Sequence, residues 1–139
     1  MLFEVRSVNT AILNGEINGV QVVYSAKNES RSAVGNGNYD LTVEEYEGNE
    51  AISQLEEISR QKLLELIPTL TFAIRSINTR YREGQLSNVQ ISYGANNETR
   101  SASFNGHFDL TEEEHEENKS MDQLKELAKQ ILTDEVNAE

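Results

Sequence analysis

Few side chains capable of making or breaking covalent bonds are present, and none is spaced for it. Cysteine is absent, so thiolate nucleophiles, disulfide frameworks and Cys-ligated zinc or iron–sulfur sites are excluded together. Both histidines, His107 and His115, fall in the second half of the chain, so imidazole chemistry would operate at one site only. Ser7, Ser32, Ser76 and Ser101 have no histidine companion in sequence, and neither a G-x-S-x-G elbow nor a P-loop occurs. Gly35-Asn36-Gly37 lacks the later glycine of a nucleotide fingerprint. Glutamates run together as on a solvated face rather than in a tuned acid–base pair, and His115 stands inside such a run as a solvated side chain. The alternating Asp/Asn spacing of a calcium loop is missing. The expectation is a non-enzyme holding neither metal nor cofactor.

What remains is the chemistry of attraction. The chain has 24 acidic and 12 basic residues, a formal net charge of -12 over 139 residues. The acids are concentrated in Asp40–Glu57 and Asp109–Glu117, stretches without lysine or arginine. Glu44, Glu45 and Glu47, with Glu113, Glu114 and Glu116, decorate two helix starts, where carboxylates favour the positive end of the macrodipole. A sharper reading makes them twin clusters that imitate duplex phosphates or fill a basic groove on a partner. Arg6, Arg31, Arg75 and Arg100 lie on or beside strands and would form a positive strip across an open sheet face. Tyr24, Tyr93, Tyr39 and Phe108 would then be stacking platforms for single-stranded bases. The simpler reading puts these aromatics in the core and pairs the arginines with nearby glutamates.

The elements that position these residues follow from an internal repeat. A shift of 69 residues lays Phe3–Ile67 on Phe72–Val136 without a gap, with 29 identities in 65 pairs. RSVNT faces RSINT, GVQVVYSAKNESRSA faces NVQISYGANNETRSA, and NGNYDLT faces NGHFDLT. The domain division is 1–67 and 70–139, joined by Pro68-Thr69, a link too short for independent tumbling. A unit of this size is marginal alone and gains stability by pooling its apolar face with another.

Phe3–Leu13 is rich in β-branched residues and ends at Asn14-Gly15, which favours a type I′ hairpin turn. Val20, Val22 and Tyr24 alternate with Gln21, Val23 and Ser25, as Val89, Ile91 and Tyr93 do with Gln90, Ser92 and Gly94, marking half-buried strands with the larger residues inward. Asn28-Glu29 and Asn97-Glu98 punctuate the chain before strands at Arg31–Leu41 and Arg100–Leu110, where Asn36-Gly37 and Asn105-Gly106 suggest bulges. Thr42 with Glu45, and Thr111 with Glu114, form capping boxes. Beyond them Ile52, Leu55, Ile58, Leu63 and Leu66, matched by Met121, Leu124, Leu127, Leu132 and Val136, make a helical stripe, with a break at Gly48-Asn49. The expected fold is α+β: tandem duplicated βββα units forming a pseudo-two-fold antiparallel sheet system, with helices packed on one face.

Strands then helix, given twice, is similar in outline to the Whirly and related single-stranded nucleic-acid-binding folds, although three strands are read per repeat where those have four. That resemblance implies nucleic-acid binding on the sheet. The leading expectation is a non-catalytic acidic binding or accessory protein that engages a macromolecular partner, a protein first, through symmetric duplicated surfaces. The alternatives are a single-strand nucleic-acid binder using the arginines and an acidic DNA mimic. No window approaches the length of a membrane span, and the opening residues lack a secretory pattern, so the expected location is the cytoplasm, with further homo-oligomerisation open.

Overall fold

Asn14 and Gly15 turn the chain between β1 (Leu2–Leu13) and β2 (Glu16–Lys27) with φ of 53° and 80°, the left-handed pair that a two-residue I′ hairpin requires. This computed structural model describes residues 1–99 and 101–137. β3 (Ala33–Leu41) follows a turn held by Asn28, whose Oδ1 accepts from the Ala33 amide at 3.1 Å and whose amide nitrogen donates to Ser32 Oγ at 2.7 Å. Thr42 and Glu45 close a capping box at α1 (Val43–Glu47), and α2 (Ile52–Leu66) runs into a short 3-10 turn at Ile67–Thr69. The second half repeats the order with β4 (Thr71–Arg82), β5 (Gln85–Asn96), β6 (Ala102–Leu110), α3 (Glu112–Glu117) and α4 (Met121–Asn137). Glu83 and Gly84 form the equivalent turn, at 53° and 80°.

The chain is α+β, with four α-helices among the described residues and one six-stranded antiparallel sheet ordered β1-β2-β3-β6-β5-β4. Each half supplies a meander, and the two join at β3 and β6, in the centre. The ladder there pairs Ala33 with Gly106, Gly35 with Phe104 and Gly37 with Ala102. Asn38 N–H to Ser101 O at 2.7 Å and His107 N–H to Ser32 O at 2.8 Å extend it. Val20, Val22, Tyr24, Tyr39 and Leu41, with Val89, Ile91, Tyr93, Phe108 and Leu110, are buried under α2 and α4. The side chains between them lie on the opposite face, which no described element covers. No described helix is long and apolar enough to cross a membrane.

Three sequence expectations change. The break expected at Gly48-Asn49 is present and recurs in the second half, so each half has two helices in place of the single one of a βββα unit: Gly48 caps α1 and Asn118 caps α3 before a new helix begins. β3 and β6 run without bulges at Asn36-Gly37 and Asn105-Gly106. Those glycines serve close approach: a Cβ on Gly37 would stand 2.5 Å from the Tyr24 hydroxyl, and one on Gly106 the same distance from the Tyr93 hydroxyl. The bulges lie instead in the two outer hairpins, at Arg6 and Arg75 on the edge strands and at Asn18 and Ser87 on β2 and β5. Finally, Ile52 and Met121 are exposed, while Ser59 and Ala128 complete the buried helix stripe.

Two non-identical pairs show how the halves fit. Gly35 faces Phe104, the residue 69 positions on, and the buried Phe104 ring occupies the space a side chain on Gly35 would need. Two glycines here would leave a void and two phenylalanines would collide. Likewise the Tyr39 hydroxyl donates to Leu55 O at 2.9 Å and lies 3.0 Å from Ser59 Oγ, whereas the corresponding positions hold Phe108 and Ala128. Hydroxyl and partner are present or absent together, as a buried polar group requires.

Urea denaturation tests both pairs. Phe104→Ala should cost about 3–5 kcal/mol, and Gly35→Phe should also destabilise, but the exchange Gly35→Phe/Phe104→Gly should be more stable than either additive sum predicts, by about 1 kcal/mol or more. Tyr39→Phe should cost about 1 kcal/mol, with Tyr39→Phe/Ser59→Ala costing less than the summed single changes.

Candidate functional site

The four arginines singled out by the sequence do not assemble into one strip. Arg6 occupies the β1 bulge, donates from Nε to Ser25 Oγ at 2.9 Å, and pairs with Glu4 at 3.4 Å. Arg75 occupies the matching bulge of β4, at the opposite edge of the sheet. Its guanidinium lies across Gly94, where a Cβ would stand 2.7 Å from Nε and Nη2. Arg31 is in the β2–β3 turn at φ 60°, before the strand rather than on it. It lines a cleft with Met1, Leu2, Lys27, Asn28 and Glu29. Arg100 lies outside the described residues.

The aromatic residues belong to the core, which corrects the stacking-platform reading. Tyr24 and Tyr93 are 1% and 2% exposed and sit between neighbours in two tilted rows, Phe3–Tyr24–Tyr39 and Phe72–Tyr93–Phe108, with ring centroids 5.8 to 6.0 Å apart. The alternation that makes β2 and β5 half-buried points their rings toward the helices, away from the open face.

The acidic residues divide by task. Glu45 accepts from the Thr42 amide and Glu114 from the Thr111 amide, each at 2.9 Å. These hydrogen bonds hold the Glu45 carboxyl below its usual value. Both therefore secure helix starts. Glu44, Glu47, Glu113 and Glu116 are exposed, and Glu116 reaches Lys119 at 3.3 Å. The layers differ sharply in charge. Residues 43–66 bring seven carboxylates against Arg60 and Lys62, and residues 112–137 bring nine against Lys119, Lys125 and Lys129, while the strands and their turns are nearly balanced. A cleft of about 490 Å³ between the first hairpin and α1 contains Asp40 and Glu45, the latter already committed to its cap. His107 is exposed opposite Ser92, and His115 is half-buried on α3. Among the described residues no group of three or more His, Asp or Glu side chains is placed to hold a metal ion.

Sequence reasoning missed the hairpin arms. Asn9–Asn18 and Ile77–Gln85 are exposed throughout. The first tip joins Ile12 to Ile17 across the strands, with Leu13 alongside, and these are 67%, 46% and 59% exposed. The second joins Tyr81 to Leu86, with Arg80 and Arg82 flanking a Tyr81 that is 69% exposed. The available signal was the loss of repeat identity there: Ala11-Ile12-Leu13 stands against Arg80-Tyr81-Arg82, and only the turn glycine persists between Ala11 and Gly19.

The buried tyrosines set an alkaline limit on the fold. Burial raises the Tyr24 phenol well above its ordinary value and pushes Tyr93 up to about 12, with the Glu135 charge adding to the latter. Neither hydroxyl has a hydrogen-bond partner among the described residues. The folded chain thus holds these protons more tightly than the unfolded chain, where phenols titrate near 10. Their contribution is intact below about pH 10 and is lost as pH rises from there through about 12. Tyrosinate absorbance from this pair should rise in step with loss of circular dichroism; ionisation of all tyrosines in a still-folded chain would contradict the burial. No family model, curated protein or solved structure matches the chain.

Proposed function

We propose that the chain is a tandem duplication with approximate two-fold symmetry that works as a non-catalytic acidic binding or accessory protein in the cytoplasm. Its paired working surfaces are the two hairpin arms, alike in position and different in chemistry. The reading rests on one observation: the exposed apolar pair Ile12 and Ile17, opposite each other near the tip of a solvent-exposed arm, with Leu13 exposed on its other face. Isolated exposed apolar residues are ordinary on a soluble protein, whereas a facing pair on an exposed arm costs solubility and stability without benefit to the core. A protein partner that covers it recovers roughly 25 cal/mol for each Å² of apolar surface removed from water.

The absence of catalysis in this reading follows from what the acids already do. Glu45 and Glu114 are tied to backbone amides, and the remaining carboxylates are spread over exposed helix starts rather than facing one another across a cleft. The same dispersal weakens the duplex-mimic alternative, because the two sets belong to α1 and α3, each beside its own half of the sheet.

Site-specific photo-crosslinking in extract of the source cells tests the arm. A crosslinker at Ile12 should give a discrete protein adduct, and one at exposed Gln61 on α2 should not. Ile17→Lys, which leaves the core untouched, should reduce the adduct about ten-fold, as loss of a central apolar contact does at an interface. Equal labelling from both positions, or an adduct indifferent to Ile17→Lys, would remove the first arm as the binding surface.

A further inference from the structure

The second arm carries a different and unassigned surface. β4 contains Arg75, Arg80 and Arg82 and no acidic residue, a local reversal in a chain of net charge -12. The ladder fixes where they point. Phe72, Ile74, Ile77 and Thr79 pair with Ala95, Tyr93, Ile91 and Val89, whose side chains are buried on the helix side. Ser76, Asn78 and Arg80 alternate with them and pair with Ser92, Gln90 and Asn88 on the open face, and Arg82 continues that alternation along the strand. Arg75, in its bulge, lies on the same face above Gly94. The result is a file of three arginines on the open face, with Ser76 and Asn78 between Arg75 and Arg80, and by the same alternation the exposed ring of Tyr81 lies on the reverse side of the arm.

From this arrangement we propose that the β4 arm, an edge strand, is a binding site for single-stranded nucleic acid, with Arg80 and Arg82 on neighbouring phosphates, Arg75 on one farther along the strand, and Tyr81 stacked on a base that reaches round the edge. This deepens the binding reading above by naming the partner class of the second arm. Several observations carry it. Among the described residues none of the three arginines has a carboxylate within ion-pair distance, whereas Arg6, at the matching position of β1, pairs with Glu4. Ala73 replaces that glutamate in β4. Arg80 and Arg82 are two residues apart, about 6.8 Å along a strand, a separation suited to neighbouring phosphates on an extended chain. The nearest acids in the sheet are Glu83 at the turn and Asp109 two strands away, about 10 Å across the ladder.

The same geometry disfavours an acidic peptide. A peptide adding to a sheet edge takes its affinity from continuous backbone pairing, and the bulge between Ile74 and Ser76 interrupts the β4 edge. A nucleic acid needs only the side chains. The exposed ring of Tyr81 can stack only on a base freed from a duplex, so the single strand is the fitting form.

Fluorescence anisotropy with a labelled short oligothymidylate at low ionic strength tests the proposal on the full chain. Binding should weaken with salt at a log–log slope of about -2, as expected for three phosphate contacts on a single strand. Arg80→Gln/Arg82→Gln, both fully on the surface, should weaken binding at least about ten-fold, and Tyr81→Ala about five-fold or more, while Arg6→Gln/Arg31→Gln leaves it unchanged. No binding, or binding insensitive to the β4 changes, overturns the proposal. So does equal competition by polyglutamate, which would make the arm a reader of charge alone. If the oligonucleotide fails while the Ile12 adduct persists, the nucleic-acid site falls and the binding reading stands; loss of the adduct with oligonucleotide binding retained gives the reverse.

Discussion

The antiparallel pairing of β3 with β6 is the constraint on which the rest of the molecule depends. Each meander by itself would present a three-stranded sheet with an unpaired inner edge and too small an apolar face for one long helix. Joining them satisfies both inner edges at once and gives α2 and α4 a shared floor. Close packing then dictates which side chains stand at the junction. Tyr24 and Tyr93 fold their rings over Gly37 and Gly106, and Phe104 fills the place that Gly35 leaves open. The centre is therefore built from large residues resting on glycine across the ladder, which explains why glycines occur in strands that are otherwise regular.

That arrangement also separates the two chemistries of the surface. The helices lie on one face and hold most of the acid; the open face is lined by amides, hydroxyls and a few charges of either sign. Because the sheet lies between them, a basic row on β4 can coexist with a strongly negative chain. The hairpin arms are solvent-exposed throughout, so no packing requirement fixes their side chains. There the halves differ most, with apolar Ile12, Leu13 and Ile17 at one tip and Arg80, Tyr81 and Arg82 at the other. Surfaces released from the core are free to take on separate partners.

Much of this architecture was legible from residue order. Period-two alternation at Val20, Val22 and Tyr24 identified the inward face correctly, Asn14-Gly15 identified the hairpin turn, and Thr42 with Glu45 identified a helix start. These signals are local: each depends on a backbone preference or a contact within a few residues, so no distant partner is needed to interpret it. The reading failed where one local feature has two physical explanations. Asn36-Gly37 looked like a bulge because glycine weakens a strand, but its glycine makes room for a ring from the next strand. Ile52 looked like part of the buried stripe, yet it stands at the first position of α2 and is exposed, while Ser59, two turns on along the same face and satisfied by Leu55 O at 2.8 Å, lies inside.

By itself, then, the sequence determined the internal 69-residue repeat, the order of elements in each half, and the excess of acid after the last strand of each. Only the tertiary structure decided that the meanders merge into one sheet, that the aromatic residues are covered, and that Arg6 and Arg75 stand at opposite edges rather than in one strip. The reason is that strand order and the side of the sheet on which helices pack come from contacts between residues far apart in the chain. Many pairings satisfy the same periodicity, and the fit of Phe104 against Gly35 becomes visible only when β3 and β6 are laid side by side.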